Sequence, residues 1–200
     1  NGDYVFKYLG GVAVMEAPFF CIGHVIALNS SHEADGFSAP YQYSIAFGAI
    51  FYCILAMLLL RYMLLQYFPD RTVALSLLLM ALSTNLIQYV SIDSAQSHSF
   101  IFLLYAFLLF VTMKWHNQPS IKWAILISFV IDLATISRPT EAIMIFEPLF
   151  WGTQNKEQRI AKWALVRKHR YHLIFVAFFG LVGILPQLIY WKHATGSLIY

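Results

Sequence analysis

Long apolar runs separated by short polar stretches cover most of the chain. Runs of about 20 residues with few charges are typical of helices that cross a membrane. The sequence therefore predicts an all-α fold, a polytopic membrane protein with about six membrane helices that include a short helical hairpin. The predicted segments are Tyr41–Phe68, Val73–Val90, Phe100–Trp115, the hairpin Ala124–Trp151, and Leu173–Trp191.

The N-terminal segment Asp3–Leu28 is also apolar, but Lys7, Glu16 and Pro18 interrupt it. We expect it to lie at the membrane surface or to dip into the membrane, and a first transmembrane helix is the alternative. Residues 1–40 would then form an outer-loop or interfacial segment, and residues 41–191 the transmembrane helices of a single domain (1–200). The chain starts at Asn1 without a signal-peptide pattern, so we expect a fragment of a longer protein.

Composition excludes a soluble domain. The chain of 200 residues is 60% apolar, 17% aromatic and 12% charged, with a mean hydropathy of +0.64. Soluble domains carry about 25% charged residues. Cys21 and Cys53 both lie inside apolar runs, so they indicate neither a disulfide framework nor a metal pair. Nothing in the charge pattern indicates binding to nucleic acid.

A charged break interrupts the apolar segment Ala124–Trp151 at Thr135–Glu141. An arginine at membrane depth is costly and marks a candidate functional site. Pro139 has no backbone N–H and suits the first turn of a new helix. The segment is therefore predicted to form two short helices of about 13–14 residues each, joined by a turn at Arg138. Helices that short cannot cross a core of ~30 Å, so the turn would lie in an outward-facing pocket.

The distribution of positive charge favours the hairpin. With a hairpin, one side of the membrane holds ten of the thirteen Lys and Arg residues: Arg61, Arg71, Lys114, Lys122 and six in Gly152–His172. Cytoplasmic loops are rich in Lys and Arg. The basic loop Gly152–His172 would therefore be cytoplasmic and close to anionic lipid headgroups, with Asp93 and Arg138 towards the outer side.

The predicted pocket has Arg138 beside the N-terminus of the second short helix, where backbone N–H groups and the helix dipole favour an anion. A phosphate suits a guanidinium, which can hold it bidentately. The alternative is structural: Arg138 and Glu141 are three residues apart and could neutralise each other. Asp132 is a second candidate counter-ion, or a structural carboxylate.

Three further side chains are candidates for the same pocket. Asp93 and His98 lie in a polar loop on the predicted outer side, where carboxylates are often only solvated. Lys7 is either an anion ligand or an anchor at the membrane interface. Glu16 and His24 are expected to have structural roles.

Several strings resemble the GT-C superfamily of integral-membrane glycosyltransferases, especially its protein O-mannosyltransferase and aminoarabinose-transferase type. They are Lys7-Tyr8-x-Gly10 with Pro18-Phe19-Phe20, Asp35-Gly36-Phe37-Ser38-x-Pro40-Tyr41-Gln42, Ser83-Thr84-Asn85, and Ser137-Arg138-Pro139-Thr140-Glu141. The resemblance covers most of the 200 residues.

The resemblance implies transfer of a sugar from a polyprenyl-phosphate donor to an acceptor glycan, lipid or protein, in a bacterial cytoplasmic (inner) membrane. It implies a catalytic role for Asp93 and donor-phosphate binding by Arg138 and Lys7, with His98 and Glu141 in support. The family's first-loop carboxylate would precede this chain. Some members bind a divalent metal near the position of Asp93, although Asp93 and His98 alone do not make a metal site.

Two other classes of protein remain open. A transporter could use broken helices and a mid-membrane anion site, but it should contain inverted repeats, and the two halves of the chain show none. A non-catalytic membrane scaffold could use the same polar side chains only to hold its helices together.

Overall fold

The computed structural model describes residues 9–198, and their regular structure is entirely helical. The all-α prediction is therefore confirmed. The helices are α1 Gly11–Leu28, α2 Ala39–Leu64, α3 Asp70–Ser83, α4 Leu86–Ser91, α5 Ser97–Asn117, α6 Ile121–Thr135, a 3-10 helix Pro139–Ile145, α7 Phe146–Phe150, α8 Lys156–Lys168 and α9 Tyr171–Thr195.

Four of these helices, α1, α2, α5 and α9, are long and apolar enough to cross a membrane. They support the prediction of a membrane protein. By length and composition α1 also agrees with the alternative of a first transmembrane helix. At 14 and 15 residues, α3 and α6 span ~21–23 Å and are shorter than a hydrocarbon core. A total of six membrane helices therefore stays a prediction.

The expected single helix Val73–Val90 is wrong, because the structure divides it into α3 and α4. Thr84 has an extended backbone, and its hydroxyl donates to the Met80 carbonyl at 2.6 Å while accepting the Leu86 N–H at 3.2 Å. Such side-chain bonds offer the backbone an alternative to the helix. The polar string Ser83-Thr84-Asn85 thus ends one helix and begins the next.

The basic stretch Gly152–His172 is mostly helix α8, not the loop that the sequence predicted. The Asn155 side chain caps its N-terminus by accepting the Gln158 N–H at 2.8 Å. Arg167 and Lys168 occupy its last turn, where the helix dipole favours cations. These basic residues therefore stabilise the end of a polar helix.

The chain divides into two compact units, one of Val12–Ala106 and the other of Asn1–Gly11 with Phe107–Tyr200. In the first unit, α1 and α2 approach closely at two glycines. A Cβ atom on Gly23 would lie 2.9 Å from the Tyr41 Cα, and one on Gly48 would lie 2.6 Å from the Phe19 ring. The Phe19 ring fills the space that the missing side chain of Gly48 leaves.

In the second unit, the main contact is between α6 and α9, and it contains a carboxylate. Asp132 of α6 is only 6% exposed and packs against Gly180 and Gly183 of α9. Nearby, the Ser128 hydroxyl donates to the Val176 carbonyl at 2.8 Å. The glycines leave room for the acidic side chain between the two helices.

Replacing Gly183 by alanine should destabilise this unit. An added Cβ would lie 2.5 Å from Asp132 Oδ2 and 2.9 Å from its Cβ, so the Asp132 side chain or the helices must shift. Overpacking of this kind costs about 1–3 kcal/mol and outweighs the ~1 kcal/mol that alanine gains over glycine in a helix. Thermal unfolding in detergent checks the sign. Ile174→Ala, at a position of α9 that is 69% exposed, is the control and should unfold near the wild-type temperature.

Candidate functional site

The helical structure is interrupted at the charged stretch Thr135–Glu141, as the sequence predicts. Helix α6 ends at Thr135, and the 3-10 helix begins at Pro139. Arg138 between them is extended, with φ −148° and ψ 121°, as expected for a residue that precedes proline. The buried Ser137 hydroxyl donates to the Leu133 carbonyl at 2.7 Å and closes the end of α6. This turn, Ile136–Arg138, is called the arginine turn below.

The second arm after the turn differs from the prediction of a helix with 13–14 residues. It consists of a seven-residue 3-10 helix and the five-residue α7. Pro148 inside α7 and the β-branched Ile143 and Ile145 before it disfavour a regular α-helix. A short 3-10 helix sums fewer aligned peptide dipoles than the predicted α-helix, so its N-terminus would attract an anion less strongly than predicted.

Arg138 and Glu141 form an ion pair, with 3.7 Å between Nε and Oε1. The Glu141 side chain is 12% exposed, whereas that of Arg138 is 40% exposed. The pair agrees with the structural alternative for these two residues.

The start of α1 docks on the arginine turn. The Gly11 N–H donates to the Ile136 carbonyl at 2.8 Å, and the Gly10 N–H donates to Gln187 Oε1 of α9 at 3.1 Å. Only glycine fits at position 11, because a Cβ there would lie 2.5 Å from the Ser137 nitrogen. The turn is therefore held by backbone contacts from outside its own helices. Lys7, the other predicted phosphate ligand, lies outside the described residues.

Within residues 9–198, no ion pair joins Asp132 to Arg138, contrary to one of the two expectations for Asp132. Its described polar partner is Ser128, whose hydroxyl lies 3.5 Å from Oδ2, and it packs on α9. This supports its alternative role as a structural carboxylate. His24 is likewise structural, because its Nδ1 lies 2.6 Å from the Tyr41 hydroxyl of α2. For Glu16, the other residue expected to be structural, no such bond is seen within the described part of the chain.

Asp93 and His98 both contact helix α4, in the unit Val12–Ala106. Gln88 Nε2 donates to Asp93 Oδ2 at 3.1 Å, and the His98 ring stacks on Tyr89 with 4.0 Å between centroids. Arg138 and Glu141 belong to the other unit. In residues 9–198, no group of three or more His, Cys, Asp or Glu side chains could hold a metal ion. A divalent metal therefore stays a prediction.

The string Asp35-Gly36-Phe37-Ser38 forms a structured start to α2. Asp35 Oδ1 accepts the N–H groups of Phe37 at 2.8 Å and Ser38 at 2.9 Å, which lowers the pKa of the Asp35 carboxyl. Gly36 has φ +85°, in the left-handed region that glycine tolerates best. Ser38 Oγ donates to the Glu33 carbonyl at 2.7 Å. Within the described part of the chain, this string has a conformational role.

Sequence reasoning missed a cluster at the other end of α6 and α9, called the aromatic–histidine cluster here. Trp115 Nε1 donates to His172 Nδ1 at 3.1 Å, and the His116 and Trp151 rings lie 6.2 Å apart. Lys162 of α8 is buried and donates to three carbonyls, those of Pro148 at 2.7 Å, Trp151 at 2.9 Å, and Leu149. The sequence feature that could have indicated this cluster is the placement of Trp and His at the ends of apolar runs.

Burial lowers the pKa of Lys162 to about 8. The charged ammonium form therefore still predominates at neutral pH. Three carbonyl oxygens accept hydrogen bonds from it. These carbonyls lie at the end of α7, where a helix has no internal donors left. Lys162 thus joins α8 to the end of α7.

No protein-family model, curated protein or solved structure matches the chain. The resemblance to the GT-C superfamily rests on the strings quoted above and stays a prediction.

The close contact of Gly11 with the arginine turn can be tested with two adjacent glycines. Gly11→Ala should lower the unfolding temperature in detergent, because the new methyl group meets the Ser137 backbone. Gly10→Ala is the matched control, since its Cβ comes no closer than 3.7 Å to Gln187 Oε1. Equal unfolding temperatures for the two variants would contradict the close contact at Gly11.

The role of Lys162 can be tested at neutral pH. Lys162→Met keeps the length of the side chain but leaves three carbonyls without their donor, so the free energy of unfolding should fall by about 1–3 kcal/mol. Lys156→Met, at an exposed position in the first turn of α8, should have little effect. Denaturant unfolding of the purified protein measures both. A Lys162→Met protein as stable as Lys156→Met would exclude the three-carbonyl contact.

Proposed function

We propose that the chain is part of an integral-membrane glycosyltransferase that transfers a sugar from a polyprenyl-phosphate donor to an acceptor on the non-cytoplasmic side. The observation that carries the proposal is Arg138, a partly exposed cation at a helix break in a largely apolar chain. An arginine in such surroundings is energetically costly, which makes it a candidate functional residue. The class of reaction is inferred from the GT-C-like string Ser137–Glu141 that contains Arg138.

The residue chemistry fits this reaction. When the sugar leaves a polyprenyl phosphate, negative charge develops on the phosphate oxygen, and a fixed cation in a site with little water stabilises it. Arg138 would hold that phosphate through its guanidinium. Asp93 would accept the proton of the acceptor hydroxyl, with Gln88 orienting its carboxylate. Lys7 would be a second ligand of the phosphate.

The proposed topology returns Ala124–Trp151 to the side where it starts. The contact of His116 with Trp151 supports this, because His116 precedes α6 while Trp151 follows α7. The chain on both sides of the segment thus meets in one place. The basic helix α8 would then face the cytoplasm of a bacterial inner membrane, and Arg138 would face the outer side.

Sugar transfer by the full-length protein tests the role of Arg138. Arg138→Ala should reduce turnover with a polyprenyl-phosphate sugar by about 10²–10³-fold, because an electrostatic contact to the developing charge is lost. Arg61→Ala is the control, since Arg61 also pairs with a carboxylate, Asp70 Oδ1 at 2.6 Å, in an exposed turn. Turnover of Arg138→Ala at the level of this control would exclude phosphate binding by Arg138.

A non-catalytic scaffold is the second candidate, and the Arg138–Glu141 pair is the observation that favours it. The double variant Arg138→Glu with Glu141→Arg separates the two functions. A scaffold needs only the pair, so the reversed pair should restore the stability that Arg138→Glu alone loses. A transferase needs the cation at position 138, so the reversed pair should remain inactive even when it is stable.

A further inference from the structure

Helix α8 lies beside the ends of three other helices in the second unit of the chain. Lys162, at the middle of α8, donates to the Pro148 and Trp151 carbonyls at the end of α7. Two residues separate the end of α8 from the start of α9. Near the end of α5, the Trp115 side chain donates to His172 in the first turn of α9 at 3.1 Å. The ends of α5 and α7 and the start of α9 therefore meet beside α8.

The meeting point of these helices marks the level of a membrane surface. Both α5 and α9 are long and apolar enough to cross a membrane, and the bond from Trp115 to His172 joins the end of one to the start of the other. Trp151 lies at the same level, with its ring 6.2 Å from that of His116. Tryptophan is enriched where the hydrocarbon core meets the headgroups. We therefore expect α8 to lie at the membrane–water interface.

One face of α8 carries both basic and apolar side chains and is called the basic–aromatic face here. Its exposed residues fall within a sector of about 100° around the helix axis, at about 100° per residue: Lys156, Arg159, Ile160, Trp163 and Arg167. Ile160 is 60% exposed and Trp163 is 46% exposed. Lys162, which is buried against α7, and Glu157, the acidic residue of α8, both lie outside this sector. The face is therefore positively charged and open.

The cations of this face have no partner of opposite charge in the described part of the chain. Within residues 9–198, no ion pair involves Lys156, Arg159 or Arg167. Anionic lipid headgroups attract basic residues at a membrane surface, and the same interface accepts an indole ring. A helix that carries both kinds of side chain at this level is typical of helices that lie on membranes. Charge and position thus select an anionic membrane surface as the occupant of this face.

We infer that the basic–aromatic face of α8 binds the phosphate groups of anionic phospholipids, with the indole of Trp163 among the headgroups. Arg159 can hold a phosphate bidentately through its guanidinium, and Lys156 and Arg167 add positive charge about one and two turns away. Lys162 fixes the orientation of α8 through its bonds to the end of α7. A loop of the same composition would not gather these side chains on one face. The inference does not depend on sugar transfer, because it uses only α8 and the helix ends beside it.

The lipid next to Trp163 can be identified by fluorescence quenching. The full-length protein is reconstituted into vesicles of equal phosphatidylglycerol and phosphatidylcholine content, in which one lipid or the other carries bromine on its acyl chains near the headgroup. The signal of Trp163 is the difference between the wild type and Trp163→Phe, which removes the contribution of the other tryptophans. We expect brominated phosphatidylglycerol to quench this signal more strongly than brominated phosphatidylcholine.

Two substitutions on α8 test the role of its charge, each measured with its own Trp163→Phe partner. Arg159→Gln should lower the preference for phosphatidylglycerol by about fivefold, the effect of one basic residue at an anionic surface. Lys168→Gln is the matched control, because Lys168 is exposed on the same helix but outside the face, and it should keep the wild-type preference.

Three results would contradict the inference. Weak quenching of Trp163 by both lipids would mean that water or a protein covers the face, and would overturn the membrane contact. Equal quenching by the two lipids in the wild type would overturn the assignment to anionic headgroups. An equal preference in the Arg159→Gln and Lys168→Gln proteins would overturn the basic–aromatic face as the site.

Discussion

The contact of α6 with α9 is the interaction on which the candidate site depends. A buried carboxylate, Asp132, lies in that contact, and two glycines of α9 make room for it. The arginine turn follows α6 directly, so its position is set where α6 is held. Gln187 of the same α9 binds the Gly10 N–H, and the neighbouring Gly11 binds the turn itself. The turn is thus supported by α6, by α9 and by the start of α1.

The sequence was sufficient for the coarse architecture. Long apolar runs predicted an all-helical chain because the pattern of hydrophobic residues is itself the signal for such helices. The break before Pro139 follows from the covalent geometry of proline and of the residue that precedes it. These features are local, and a few neighbouring residues determine them.

The parts that sequence reasoning missed depend on tertiary contacts or on competition between local bonds. The division of Val73–Val90 comes from the hydroxyl of Thr84, which competes with the helix for the Met80 carbonyl. The helix in Gly152–His172 was not predicted, because the positive charges of this stretch indicate a side of the membrane and do not distinguish a loop from a polar helix. The burial of Lys162 could not be predicted, since its partners are backbone carbonyls 11–14 residues earlier in the chain. For the candidate site, sequence alone identified Arg138 and Glu141 but not the glycine contacts that support them.

The packing of Asp132 on Gly183 has a consequence for how this sequence can vary. The two positions share one volume, because the carboxylate occupies the place of a side chain on α9. A larger residue at position 183 would therefore require a smaller one at position 132, and neither position is free to change alone. Among natural variants of this chain, positions 132 and 183 should substitute as a pair, one gaining the atoms that the other loses.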